Sequence, residues 1–79
     1  MARKPVPPFV GEGMTIRKVV VPSRDVVFFK GVVEAHEGLA QVFAEDGGDL
    51  TVACPDDRVA ELDALLADLV PEVGGVLVR

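Results

Sequence analysis

Short apolar runs and turn-forming residues alternate along the chain in the order strand, helix, strand, strand, helix, strand. Residues 15–21 are rich in β-branched side chains and end at Pro22, which has no N–H for a strand ladder, so they predict the first strand. Residues 39–44 and 50–54 are two further apolar runs. They flank residues 45–49, whose acidic and glycine residues are typical of a hairpin loop.

The clearest helical period follows the predicted hairpin. Apolar side chains recur there at intervals of three and four, at Val59, Leu62, Leu65, Leu66 and Leu69. Pro55 suits the start of this helix, where its missing N–H costs nothing. Pro71 is expected to stop the helix, and residues 76–78 then predict a brief last strand.

Residues 25–37 are ambiguous, because their valines favour a strand while their charges follow a helical period. Placed 100° apart, five side chains share one arc, namely Phe28, Phe29, Val32, Val33 and His36. Three charged residues share the opposite arc, namely Lys30, Glu34 and Glu37. Ser23 or Asp25 can cap the start, and Gly38 supplies the left-handed residue that commonly ends a helix. The pattern therefore favours a helix.

These elements predict an α+β fold, the ferredoxin-like βαββαβ sandwich. Two strand-helix-strand units with right-handed crossovers fold most simply into a four-stranded antiparallel sheet of order 4132, with two helices on one face. With 79 residues, one core is expected. We assign a single domain to residues 14–79 and interpret residues 1–13, which contain three prolines and two glycines, as a flexible tail.

Residues 23–40, SRDVVFFKGVVEAHEGLA, together with residues 52–55, resemble a small bacterial family of domains of unknown function. The similarity covers residues 16 to about 72 and is most specific at residues 34–40. It implies a compact ferredoxin-like domain and carries no activity with it. The topology is also similar to that of ACT domains, regulatory modules that often pair and bind amino acids at their interfaces. Those domains usually have a glycine in their first loop, and residues 21–25 here have none.

The charge of the chain argues against a nucleic-acid partner. The formal net charge is −5, and residues 31–73 carry eleven acidic side chains against Arg58 alone. Such a surface repels a phosphate backbone. RNA-recognition modules of similar topology also stack bases on aromatic residues of their central strands, and the strands predicted here, residues 15–21 and 50–54, have none.

We also expect no membrane partner and a cytoplasmic location. The apolar runs are far shorter than the roughly 20 residues that cross a bilayer, and no secretion signal is visible. Cys54 is the single cysteine, which leaves no intrachain disulfide and fits a reducing compartment.

His36 and Cys54 are the residues whose chemistry best suits catalysis. A catalytic or metal-binding His36 needs a partner, and we interpret it instead as a packed or half-buried residue whose ring bonds to a backbone carbonyl. Cys54 precedes a helix start, but Asp56 and Asp57 add negative charge there, so we interpret it as an inert core thiol. Acids in a first helical turn are expected for stability alone. We therefore expect no catalytic residue, no metal, no cofactor and no enzyme activity.

The open face of the sheet is the most informative feature for function. Alternation in the third strand directs Leu50, Val52 and Cys54 to the helices and Thr51 and Ala53 to the open face. That face is expected to be apolar, and exposed apolar patches often mark association sites. We therefore predict a non-catalytic interaction or regulatory module that forms a homodimer or binds a protein partner.

The alternative is an ACT-like sensor of a small molecule, either an amino acid or a nucleotide, held between protomers. Its candidate ligand-binding residues are Ser23, Arg24, Asp25, His36 and Gly38.

Overall fold

The computed structural model describes residues 13–78 and confirms the predicted order of elements. The strands are β1 (Met14–Val20), β2 (Gln41–Asp46), β3 (Asp49–Pro55) and β4 (Val76–Val78), and the helices are α1 (Val26–Glu34) and α2 (Val59–Glu72). A single 3₁₀ turn precedes each helix, at Ser23–Asp25 and Asp56–Arg58. The tail predicted over residues 1–13 lies outside the described residues except for Gly13, so it stays a prediction.

The four strands form one antiparallel sheet of order β2-β3-β1-β4, which is the predicted 4132 order seen from the other edge. β1 pairs with β3 over its whole length and with β4 from Lys18 to Val20. β2 pairs with β3, with a shift in register between Ala44 and Asp46. The fold is therefore ferredoxin-like, with β1 and β3 in the centre of the sheet.

One hydrophobic core fills the space between the sheet and both helices. The sheet contributes Val19, Val42, Leu50, Val52 and Cys54, and the helices contribute Phe29, Val33, Leu62, Leu66, Leu69 and Val70. The predicted inward direction of alternate β3 residues is thus confirmed, and so is the apolar stripe of α2. Burial of these side chains is the main term that stabilises the fold.

The structure corrects two details of α1. The helix ends at Glu34 instead of residue 37, because a turn follows in which Leu39 N–H donates to the His36 carbonyl at 3.0 Å. Phe28 was placed on the apolar arc, but it is 52% exposed, whereas Phe29 is 0% exposed. Adjacent residues on a helix are 100° apart, so a short helix that directs Phe29 and Val33 at the sheet leaves Phe28 outside.

Pro71 does not stop α2 as expected, because it lies within the last turn. A proline lacks one intrahelical hydrogen bond, and α2 continues for one further residue beyond it. Gly74 ends the helix with φ of 72°, and the next N–H, that of Gly75, donates to the Val70 carbonyl at 2.8 Å. This pair of glycines forms the left-handed cap that leads into β4.

Glu34 joins the end of α1 to the outer edge of β2. Its Oε2 atom accepts the Val42 N–H at 3.0 Å, and Lys30 Nζ lies 3.6 Å from the same oxygen. Lys30 and Glu34 are four residues apart on the charged arc of the helix, whereas no local spacing indicates the bond to Val42. The Val42 N–H, which lies on the exposed edge of the sheet, therefore has an acceptor within the chain.

Candidate functional site

The surface of the sheet opposite the helices is the candidate site, and we call it the outer face. Strand register places on it Met14, Ile16, Lys18, Val20, Gln41, Phe43, Asp46, Asp49, Thr51, Ala53, Pro55, Val76 and Val78, and hydrogen bonds to Lys18 and Thr51 place Glu45 there as well. Within residues 13–78, no helix or strand lies over this surface. The outer face is therefore the broadest surface that the described elements leave open.

Exposed valines form an apolar strip along β1 and β4. Val20, Val76 and Val78 are 42%, 61% and 46% exposed. Val20 and Val76 are direct partners in the sheet, and Val78 lies opposite Lys18. Three of the five large exposed hydrophobic residues within the described range thus lie together, which confirms the expected apolar character of this part of the outer face.

Thr51 and Ala53 of β3 lie on the outer face as predicted, but both are buried. Thr51 is 5% and Ala53 is 1% exposed. β3 is a central strand, so side chains from both neighbouring strands cover its short residues, as Ile16 and Gln41 do on either side of Ala53. The exposed part of the outer face is consequently supplied by the larger side chains around them.

A charged network lies in the middle of this face. Lys18 Nζ donates to Glu45 Oε1 at 3.0 Å and to Thr51 Oγ1 at 2.8 Å. The Thr51 hydroxyl in turn donates to Glu45 Oε2 at 2.7 Å. Glu45 lies at the register shift of β2, where an extra residue re-aims the side chain across the sheet. The sequence pattern does not reveal this network, because it assigns Glu45 to a loop.

A second ion pair lies on the helix side of the sheet and joins β1 to α2. Arg17 Nε and Nη2 bind the two carboxylate oxygens of Asp63 at 2.9 and 3.1 Å. The hydrogen bond from Arg17 lowers the pKa of Asp63, and the same bond raises the pKa of Arg17. Because both partners are locked in this fork, the pair serves to hold α2 against the sheet.

Cys54 and His36 are not brought together. Cys54 is fully buried in the core, where desolvation raises the pKa of its thiol, in keeping with the interpretation of an inert side chain. His36 is exposed, contrary to the expected packing, although its Nδ1 does lie 2.9 Å from the Val32 carbonyl oxygen as expected of a ring bonded to the backbone. Its exposure follows from the early end of α1, which places it in the turn. Residues 13–78 contain no group of three His, Cys, Asp or Glu side chains able to hold a metal ion.

The five residues predicted to bind a small ligand lie at opposite ends of α1. Ser23, Arg24 and Asp25 form the turn before the helix, and His36 and Gly38 follow its end, with nine helical residues or roughly 13 Å between them. Of the five, Gly38 lines a cavity of about 460 Å³ with Glu34 and Gln41. The other four do not line this cavity.

The comparisons with known proteins address the family and not the activity. No helix within the described range is long and apolar enough to cross a membrane. No curated protein and no solved structure matches this chain. The family model described as "Domain of unknown function (DUF4911)" matches residues 19–73, which is more than half of the chain and includes α1, α2 and the hairpin between them. The resemblance to a family of domains of unknown function is thereby confirmed, and the chain belongs to the DUF4911 family.

Proposed function

We propose that this domain is a non-catalytic interaction module that self-associates through the outer face. The observation that carries the proposal is the strip of three exposed valines, Val20, Val76 and Val78, beside a central polar network. Removing apolar surface from water contributes about 25 cal/mol per Å², and a contiguous strip concentrates this gain in one place. The fold supplies a rigid platform for it, because all three valines lie on paired strands.

Charge favours a second copy of the chain as the partner. The centre of the outer face carries one cation, Lys18, and one anion, Glu45, so its charges balance there and a second copy meets no net repulsion at this point. The opposite side of the molecule carries exposed acids on α2, such as Glu61 and Asp68, which repel the same residues of another copy. The outer face is therefore the surface on which two copies meet with least repulsion.

The relative direction of the two copies also follows from charge. Asp46 and Asp49 are paired and exposed at the hairpin end of the outer face. A two-fold axis perpendicular to the strands places the hairpin end of one copy over the opposite end of the other. This antiparallel arrangement separates the four carboxylates, whereas an axis along the strands brings them together.

Sedimentation velocity of the full chain over a range of concentrations tests this proposal. The expected result is a dimer that dissociates on dilution, and Val76→Lys weakens it by about tenfold or more because an ammonium then has to be desolvated in the apolar strip. Val27→Lys is the matched control, since it adds the same charge at an exposed valine on α1 and leaves the dimer intact. A monomer at every concentration contradicts the proposal.

We propose no reaction for this domain because of the environment of Cys54 and His36, the two side chains best suited to catalysis. Burial keeps the Cys54 thiol protonated through its raised pKa, and a neutral buried thiol is a poor nucleophile. His36 is exposed and already engaged by the carbonyl of Val32. We accordingly assign no catalytic role to either residue.

A second candidate function is a sensor of a small molecule, favoured by the cavity beside Gly38. Its volume of about 460 Å³ is within the range of ligand sites, and Glu34 and Gln41 supply polar groups to its wall. A thermal-shift screen with amino acids and nucleotides tests it, because a compound that binds only the folded state raises the melting temperature. Gln41→Ala, which removes a polar group from the wall of the cavity, is expected to reduce such a shift, and no response from any compound contradicts this candidate.

A further inference from the structure

We infer that the exposed side of α1 is a second docking surface, which receives a basic amphipathic helix of another protein. Four residues define this surface, which we call the α1 stripe: Val27, Phe28, Gly31 and Ala35. The stripe faces away from the sheet, on the side of the domain opposite the outer face. The inference goes beyond the proposed self-association and does not depend on it.

Almost every side chain of α1 is apolar, although the sheet covers only one side of the helix. Lys30 and Glu34 are the two polar residues of Val26–Glu34, and they pair with each other at 3.6 Å beside β2. On the side that faces away from the sheet, Val27 is 83% exposed and Phe28 is half exposed. A helix that is hydrophobic on all sides is typically covered on all sides. The α1 stripe is therefore an apolar surface that a partner is expected to cover.

The shape of the α1 stripe fits a second helix. Val27, Gly31 and Ala35 are four residues apart, so they lie on one line along α1. A Cβ built on Gly31 meets nothing within 4 Å, which leaves a hollow beside the larger Phe28. Side chains that recur every three or four residues on a partner helix fill such a hollow, as ridges fill grooves in helix pairs.

The helix α2 runs beside the α1 stripe. Arg58 Nη1 donates to the Glu37 carbonyl at 2.8 Å, which puts the start of α2 next to the end of α1. Leu65 and Glu72 follow Arg58 at intervals of seven residues, so the same side of α2 faces α1 along its length. Leu65 is half-buried and Glu72 is exposed, so this side of α2 changes from apolar near the core to acidic at the surface.

The charge of α2 selects the kind of partner. Its exposed acids here share one arc, because they are seven and four residues apart: Glu61, Asp68 and Glu72. Arg58 binds Glu61, whereas neither Asp68 nor Glu72 forms an ion pair within residues 13–78. Arg24, near the start of the stripe, is offset by Asp25, whose carboxylate lies 3.9 Å away. The acids favour Lys or Arg on the partner and oppose a second copy, whose α2 carries the same acids.

Fluorescence anisotropy with two labelled helical peptides tests the inference. Both peptides have about 18 residues, or five turns, with leucines on one side; one carries lysines and the other glutamates on the remaining side. The lysine peptide is expected to bind the full chain, and the glutamate peptide about tenfold more weakly or less. Failure of the lysine peptide to bind, or equal binding of the two peptides, overturns the inference.

Variants of the full chain show where the lysine peptide binds. Val27→Lys puts a cation in the α1 stripe and Gly31→Leu fills its hollow, so each is expected to weaken binding by about tenfold or more. Both positions are exposed, so thermal unfolding of the two variants is expected to match that of the unaltered chain or to shift upwards. Val76→Lys is the matched control, because it adds the same charge on the outer face and leaves peptide binding unchanged.

The remaining outcomes separate this inference from the proposed function. A lysine peptide that binds Val27→Lys as tightly as the unaltered chain binds elsewhere, which overturns the inference. Weaker self-association of Val27→Lys shows that a second copy covers the α1 stripe, which overturns it as well. An unaltered chain that stays monomeric and binds the lysine peptide through the stripe overturns only the proposed function, because the two surfaces lie on opposite sides of the domain.

Discussion

The carbonyl oxygen of Val21 occupies the space that a side chain at position 48 would need. An ideal Cβ built on Gly48 lies 1.8 Å from that oxygen, far inside any van der Waals contact. In the other direction, the Val21 N–H donates to the Gly48 carbonyl at 2.9 Å. Backbone atoms alone thus hold the turn of the β2–β3 hairpin against the end of β1. Only a glycine at position 48 leaves room for this contact.

We therefore predict that Gly48→Ala lowers the free energy of unfolding by about 3 kcal/mol, because backbone has to move to admit the methyl group. Urea denaturation monitored by circular dichroism measures the change. Gly31→Ala is the control, since a Cβ there meets nothing within 4 Å and the residue is helical. That change is expected to raise stability by up to about 1 kcal/mol. Equal stabilities for the two variants contradict the prediction.

Two neighbouring phenylalanines of α1 are expected to differ sharply. Phe29→Ala removes a fully buried ring and should cost about 3–5 kcal/mol, a range typical of large core truncations. Phe28→Ala removes a ring that is half exposed and outside the core, and should cost less than about 1 kcal/mol. Thermal and urea unfolding of both variants measure these values. A similar loss for the two would show that α1 is rotated relative to its position here.

The Arg17–Asp63 fork predicts a defined dependence of stability on pH. The hydrogen bond from Arg17 lowers the pKa of Asp63 in the folded chain below the unfolded value of about 3.9. The contribution of the ion pair to the free energy of unfolding is therefore complete above the unfolded pKa. It is lost as the pH falls through the lower pKa of the folded chain. Asp63 is partly exposed, so Asp63→Asn should cost only about 0.5–1 kcal/mol at pH 7. The difference from the unaltered chain should shrink as the pH is lowered below about 4.

Arg17→Lys supplies the comparison for that experiment, because it keeps the charge but loses the two-pronged geometry. Its stability at pH 7 should fall between those of the unaltered chain and Asp63→Asn. If the Asp63→Asn difference stays constant from pH 7 to pH 2, the ion pair does not stabilise the fold.

The Cys54 thiol is predicted to be unreactive in the folded protein. It is fully buried, and desolvation raises its pKa, so the neutral form is favoured well above neutral pH. A disulfide reagent at pH 8 should label it rapidly in urea and, under native conditions, only as fast as the chain unfolds. Rapid labelling of the native protein would instead indicate an open, reactive site at the start of α2.

Much of this fold is predictable because the sequence signals for α2 and for the β2–β3 hairpin are strong. The leucines of α2 repeat at three and four residues, and residues 45–49 separate two apolar runs, so the helix and the hairpin are both found. The strands extend to Asp46 and Asp49, so the turn is shorter than the predicted loop. The secondary structure of α1 is harder to predict, because its valines favour a strand while its charges follow a helical period. Its nine residues are too few for a wheel alone to fix which of two adjacent phenylalanines is buried.

The candidate site was predictable only in part, for a geometrical reason. Alternation along β1 and β4 indicates an apolar outer face, but the partner of Lys18 depends on the irregular residue of β2. No local pattern shows that Glu45 crosses the sheet to reach Lys18 and Thr51, because the three residues come from three different strands. Contacts of that kind depend on register, which is fixed only by the assembled sheet.

The bond between Glu34 and the Val42 N–H has a consequence for how copies of this protein accumulate. A bare strand edge invites the next chain to add, and addition at an edge can repeat without limit, as it does in fibres. With its donor at Val42 occupied, β2 is a poor template for such growth. In the proposed dimer the two copies cover each other's open sheets, so an assembly of that kind ends at a defined size.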